Sequence, residues 1–370
     1  MINVGVQENS LAAIFAFMSI MYCFQFVEIF SGINFILLFW ILISFNVLIN
    51  FRLLHGFIYL VFYSSLCMTS YIVNIVFFSS AVDVVKNILM FFVLSAAILL
   101  ALESKRLSTT VHVFINWVFV VFVGFVVMYL IGTKSHYSNY ILPEYRNSYL
   151  VISDAVAITC IVQFTAFKTG WRYLILFFGF MLILLLGSRS TMLFMFASLV
   201  VSFLLSSGSK FKIKFHDLII LGVGFFSIGY YVLDNVEMFY RLVSILDLEG
   251  DSSKVARSEL QLEFLEKLDN PRCFLFGCGV KEVGSYVHNI LSIWQLFGII
   301  SFAIFTLLVF VTSVVLFVRR YRFQYIYPLF IFCCLQLFFS RSVVSLVFPL
   351  LFAICIYVVF NFRSVQRLAV

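Results

Sequence analysis

The strongest constraint on this chain is the succession of apolar runs from Leu11 to Phe360. Several approach or exceed the roughly 18–20 residues that cross a bilayer core. Lipid offers no partner to a backbone amide or carbonyl, so runs of this kind fold as helices or as strands of a closed barrel. Barrel strands alternate apolar and polar residues, and these runs are continuous instead. Composition agrees: 64% of the residues are hydrophobic and 11% charged, against about 45–50% and about 25% in soluble globular chains. The expectation is an all-α polytopic membrane protein, with residues 1–370 forming a single transmembrane domain.

Twelve spans are predicted, at about 11–30, 33–50, 57–79, 84–102, 111–131, 148–167, 171–187, 189–207, 216–235, 289–318, 324–340 and 343–361. Basic residues orient them, because short cytoplasmic connections collect Lys and Arg. One set of alternate connections and the C-terminus holds Arg52, Lys105, Arg106, Lys168, Arg172, Lys210, Lys212, Lys214, Arg319, Arg320, Arg322, Arg363 and Arg367. The opposite short connections hold only Lys86, Lys134, Arg146, Arg189 and Arg341. Both termini are therefore expected in the cytoplasm. The same distribution accounts for the net charge of +7 as a topology signal, and no nucleic-acid partner is expected. The start, MINVGVQENS, lacks the basic n-region of a cleavable signal peptide. The 49 Phe read as codon bias or lipid-facing filler.

One long polar stretch interrupts the pattern, the island from Glu237 to His288. It holds nine of the chain's 17 Asp and Glu, so it is expected outside the bilayer, on the face opposite the termini, as a loop subdomain over 236–288. Ser252 and Ser253 can cap a helix running to about Leu268. Its apolar face carries Leu260, Phe264 and Leu268, its solvent side the i,i+4 pair Glu263 and Lys267, and Pro271 ends it. Gly298 is expected to separate an interfacial helix over 289–297 from the span that follows. Cys273 and Cys278 either pair in an oxidising compartment or remain free thiols. Asp247, Glu249 and Asp251 lack calcium-loop spacing and read as a solvated turn. No metal or cofactor is expected. On the same face, the 133–147 connection, TKSHYSNYILPEYRN, reads as a sugar-contacting surface or an ordinary interfacial loop.

A few positions carry chemistry. Arg189 stands between two spans with almost no loop, where an unpaired guanidinium in lipid costs at least about 2.5–3.5 kcal/mol and usually marks function. The plainer reading is a snorkelling anchor. Arg341, in FFSRSVVSL, repeats the Ser-Arg-Ser of Ser188-Arg189-Ser190. Arg257 lies among acidic neighbours, and alone reads as a surface ion pair worth little. His288 lies where the island re-enters the membrane. As a neutral imidazole it can accept a hydroxyl proton, and when charged it can donate to phosphate. It can equally be a hydrogen-bonded interfacial residue. Glu28, at the outer end of the first span, and Asp154, just inside the sixth, are weaker candidates, one as a base and one to orient an Arg.

Together these residues resemble the O-antigen polymerase and ligase superfamily (Wzy-type polymerases and WaaL-type ligases). Three features carry the resemblance over roughly 180–310. Gly187-Ser188-Arg189 opens a span at its outer end. Arg257 precedes Gly277 and Gly279 by about twenty residues. His288-Asn289 leads into a span containing Gly298. The glycine that usually follows is replaced by Ile299, Ile300 and Ser301.

The resemblance implies a membrane-embedded glycosyltransferase, similar to GT-C-type enzymes, with its active site on the periplasmic face of the bacterial inner membrane. It would use an undecaprenyl-pyrophosphate-linked glycan as donor. Arg189, Arg257 and Arg341 would hold the pyrophosphate through bidentate, permanently charged donors. His288 would activate the acceptor hydroxyl or add a further contact. The implied partners are the lipid-linked oligosaccharide, the bilayer and a chain-length regulator. Polymerase and ligase share this set of residues and differ in acceptor, the next lipid-linked repeat unit or the lipid A core. A flippase is the non-enzymatic alternative. It would show internal repeats and midplane polar sites, and no such symmetry is evident.

Overall fold

In a computed structural model, the structure describes residues 13–22, 35–50, 56–78, 80, 83–103, 117–127, 148–166, 171–205, 252–280, 287–318 and 326–366. Apart from short turns these residues are helical. In chain order the helices are α1 (Ala13–Tyr22), α2 (Phe35–Asn50), α3 (Phe57–Phe78), α4 (Asp83–Glu103), α5 (Trp117–Val127), α6 (Ser148–Ala166), α7 (Trp171–Leu185), α8 (Arg189–Leu205), α9 (Ser252–Glu266), α10 (Pro271–Phe276), α11 (Leu291–Val318), α12 (Ile326–Phe339) and α13 (Val347–Gln366). Phe57–Phe78, Val84–Leu102 and Leu291–Val318 are long and apolar enough to cross a membrane. The remaining apolar helices coincide with eight other predicted spans. The segment 216–235 lies outside the described residues.

The helices group into two units. The first comprises 1–42, 104–250 and 321–332, the second 43–103, 251–320 and 333–370. In the first, α6, α7 and α8 pack on one another. At Gly179 of α7 an added Cβ would overlap Cys160 Sγ of α6, so the absent side chain sets how near the two backbones come. Hydroxyls within α6 and α8 bond back to carbonyls of the preceding turn, as Thr159 Oγ1 does to Ala155 at 2.8 Å and Ser202 Oγ to Ser198 at 2.6 Å.

In the second unit α13 is the central helix. Its residues from Val347 to Val358 are all buried, and it packs on α4 and α11, with α3 against α4 and α11. Phe91, Phe305, Phe348, Phe352 and Tyr63 form one aromatic cluster, with Phe91 stacked on Phe348 at 4.6 Å and Tyr63 tilted against Phe352, also at 4.6 Å. These phenylalanines are core, whereas others, such as Phe45, Phe62 and Phe310, are exposed. Helix α3 is inverted relative to a soluble helix. Ser64, Cys67, Ser70 and Asn74 face inward, while Ile58, Phe62 and Val76 are exposed. An apolar outer face with a more polar inner one is what a lipid surround demands.

The island meets this unit through a broken helix. Gly298, inside α11, has φ 78° and ψ 174°, a region essentially confined to glycine. The break frees carbonyls that a continuous helix would occupy, and two of them find donors elsewhere in the chain. Gln295 O accepts from Cys278 N (2.9 Å) and Gly279 N (3.1 Å). Leu296 O accepts from Asn74 Nδ2 at 2.9 Å, and Asn74 also reaches Phe276 O at 3.0 Å. Lipid could supply none of these donors.

Close approach explains the other glycines. At Gly277 (φ 91°) an added Cβ would stand 2.6 Å from Gln295 O, and at Gly279 (φ 64°) it would overlap Ser80 Oγ. Helix α9 docks through Phe264, buried against Trp294, and the Trp294 indole donates to Phe274 O of α10 at 3.0 Å.

Several sequence expectations hold: the helix from Ser252, the Lys267–Glu263 bond at 2.5 Å, and the break at Gly298. Cys273 and Cys278 form a disulfide. Two expectations are corrected. Pro271 does not end the island helix. It opens α10 at the first helical position, where its missing N–H costs nothing, behind an Asn270 cap that accepts from Arg272 N at 3.0 Å. Helix α9 ends at Glu266 and passes into a 3₁₀ turn, Lys267–Asp269. The last helix begins at Val347, four residues after the expected 343, because Val343 N donates to Ser292 Oγ at 2.8 Å and is held out of it.

Gly298→Ala is expected to cost about 1–3 kcal/mol from its backbone conformation alone, and more because the new Cβ would overlap Leu275 O. Gly124→Ala, whose methyl meets only the Phe178 ring at 3.5 Å, is the matched control. Thermal unfolding in detergent, read by size-exclusion recovery, should separate the two by several degrees.

Candidate functional site

Three of the residues singled out from sequence converge in the second unit. Arg257 lies on the exposed side of α9. His288 is half-buried on the segment leading into α11. Arg341 is 4% exposed, in the connection between α12 and α13. Burial pushes the His288 imidazole below its usual 6.5, and the positive charges of Arg257 and then Arg341 push it down further. Burial and the two guanidinium groups all favour the neutral imidazole over its protonated form.

Hydrogen bonds hold these segments in register. Asn289 caps α11 by accepting from Leu291 N at 2.9 Å, and its Nδ2 reaches Gln261 Oε1 on α9 at 3.2 Å. Ser292 Oγ donates to Asn289 O at 2.7 Å and accepts from Val343 N, two residues beyond Arg341. Arg341 N donates to Gln336 O at 2.7 Å, and its Nη1 reaches Ser340 Oγ at 3.2 Å. Val287 N donates to the Gln295 side chain at 2.8 Å. A largely buried guanidinium is costly to hold, and this one sits in a polar corner where the helical pattern has given way. Chemically the corner can attract an anion to its two cations and offer a neutral base beside it.

The first unit holds a separate polar group. Gly187 (φ 70°) ends α7 in a left-handed turn, and α8 starts at Arg189, which is half-buried. Asp154 of α6 is 1% exposed and accepts from Thr191 Oγ1 at 2.7 Å, and Thr191 lies 2.8 Å from Ser188 Oγ. Asp154 thus braces the turn that carries Arg189. Glu28 and the 133–147 connection lie outside the described residues.

Sequence reasoning missed Gln261, Ser292 and Gln295, the residues that align this corner. The signal available was an uncharged polar side chain in an apolar run. It was too common in this chain to single them out. Among the described residues no group of three or more His, Cys, Asp or Glu is arranged to hold a metal ion. No protein-family model matches the chain, and no curated protein matches it.

Replacing Arg341 with Gln removes a positive charge from beside His288, so the imidazole should titrate at higher pH, closer to 6.5. Arg257→Gln should shift it the same way. Imidazole NMR in detergent, with the His288 resonance assigned by His288→Gln, checks both. An unmoved midpoint in the double variant would contradict the convergence described.

Proposed function

We propose that this chain is an O-antigen polymerase. In this reading it transfers a growing undecaprenyl-pyrophosphate-linked glycan onto the next lipid-linked repeat unit at the periplasmic face of the inner membrane. The observation that carries the reading is the meeting of Arg257 and Arg341 at a neutral His288, beside helices apolar enough for a membrane. Twelve spans with cytoplasmic termini and a GT-C-like architecture belong to the same proposal. They rest on the charge pattern and the resemblance.

The chemistry follows from the residue types. As the bond between the anomeric carbon and the phosphate oxygen breaks, negative charge grows on the departing pyrophosphate, and fixed guanidinium groups stabilise it. The acceptor hydroxyl loses its proton to His288, which is able to take it because it is not already protonated. Approach of the pyrophosphate offsets the two cations, raises the proton affinity of the imidazole and so favours that transfer. Arg189 is retained as a test position on its motif alone.

Deletion of the gene in its native host should leave lipopolysaccharide carrying a single repeat unit. Antigen missing from the core altogether would assign the chain as a ligase, and an unchanged ladder would remove both readings. His288→Ala, Arg257→Ala and Arg341→Ala should each lower polymer formation by about 10²–10³-fold, the usual effect of losing one transition-state contact, at unchanged protein level. Arg189→Ala is expected to do the same. Arg→Lys at 257 and 341 should recover only part of the activity, because an ammonium lacks the bidentate fork.

A further inference from the structure

The residue that holds Val287 in place, Gln295, also lines a cavity of about 700 Å³. Its walls come from α9 with the following 3₁₀ turn, from the disulfide-bonded hairpin and from Phe78 at the end of α3. The volume falls in the range of small-molecule sites, about 300–1,000 Å³. The described lining includes the rings of Phe78 and Phe264, the amides of Asn270 and Gln295, and the carboxylates of Glu263, Glu266 and Asp269 with the ammonium of Lys267. Glu263 and Lys267 bond to each other, leaving Glu266 and Asp269 as the surplus negative charges among the described lining residues. Behind Gly279, which also lines the cavity, Asn74 Oδ1 and Ser80 Oγ are buried with no hydrogen-bond partner among the described residues.

This lining narrows the chemistry of an occupant. Carboxylates make a poor seat for a lipid tail, and a surplus of two among the described lining residues disfavours an anion. A saccharide matches both features. Its hydroxyls donate to carboxylate oxygens, and its C–H faces lie against aromatic rings. We propose that this cavity is a sugar subsite of the same enzyme, and that it takes neutral or amino-bearing sugars and rejects uronic acids. The inference rests on the glycosyltransferase reading and adds a charge rule to it. The substrate would place its phosphates at the cationic corner of Arg257, His288 and Arg341, and its sugar in the acidic cavity. Both sites are tied to the one short segment between Val287 and Gln295.

The test uses the full-length protein in detergent and saturation-transfer NMR with three disaccharide probes: neutral N,N′-diacetylchitobiose, its free-amine form chitobiose, and digalacturonic acid. The first two should bind at least about tenfold more tightly than the third, a gap of about 1.4 kcal/mol. In the double variant Glu266→Gln with Asp269→Asn, both exposed positions, that gap should shrink to about twofold or less. Leu260→Trp should fill the cavity and abolish transfer to all three. Equal binding of the uronic acid, an unchanged gap in the double variant, or absence of binding by every probe to folded protein would each overturn the inference.

Inorganic pyrophosphate, followed in the same samples through the His288 resonance, reports on the proposed donor site separately. Pyrophosphate binding without sugar binding removes the sugar subsite alone. Sugar binding without a pyrophosphate response removes the donor assignment and leaves the cavity as a sugar site. If neither probe binds, both proposals fall.

Discussion

A helix in lipid must satisfy its backbone internally, and α11 does not. Its first two turns are severed from the rest at Gly298, and the freed carbonyls of Gln295 and Leu296 have to be met by other parts of the chain. The hairpin after α10 meets one and Asn74 of α3 meets the other. Without those donors the break would leave buried polar groups costing about 1–3 kcal/mol each. This exchange anchors the island to the helices. It also explains why three glycines stand at 277, 279 and 298, since a side chain at any of them would push the partners apart. The pattern that looks like a Gly-rich ligand loop is, in this unit, a device for bringing two backbones together.

From that anchor the polar corner follows. The first turns of α11 carry Asn289, Ser292 and Gln295, which reach α9, the Arg341 connection and Val287 in turn. His288 is positioned by its neighbours' backbone and side-chain bonds, and it is surrounded by cations because two separate segments converge on it. Charge is also segregated within the unit: guanidinium groups around the imidazole, carboxylates around the cavity beside Gln295.

The helical content was legible because apolar run length is a property of the sequence alone. The break at Gly298 was legible because a segment from 289 to 318 is too long for one crossing and has one glycine near its start. Arg341 could be named because charged residues are scarce between tightly joined apolar runs, while Arg257 and His288 could be named only through the motifs of the resemblance. Their meeting could not be derived, because it depends on bonds between residues up to 51 positions apart, such as Val343 with Ser292. Pro271 misled because proline is compatible with both ends of a helix, and only the Asn270 cap decides which. The phenylalanines misled for another reason. Apolar residues face lipid and core alike, so periodicity cannot tell Phe62, exposed, from Phe352, fully buried.

Asn74 has a consequence for biogenesis. Its acceptors, Phe276 O and Leu296 O, lie 202 and 222 residues further along the chain. During synthesis α3 emerges long before those carbonyls exist, so its amide is without these two acceptors for most of translation. The nascent chain therefore spends most of its translation with this helix incomplete and open to quality control. The second unit closes only when residues near its C-terminal third arrive. A chain ending before Leu296 would hold α3 without the carbonyl that Asn74 Nδ2 meets at 2.9 Å.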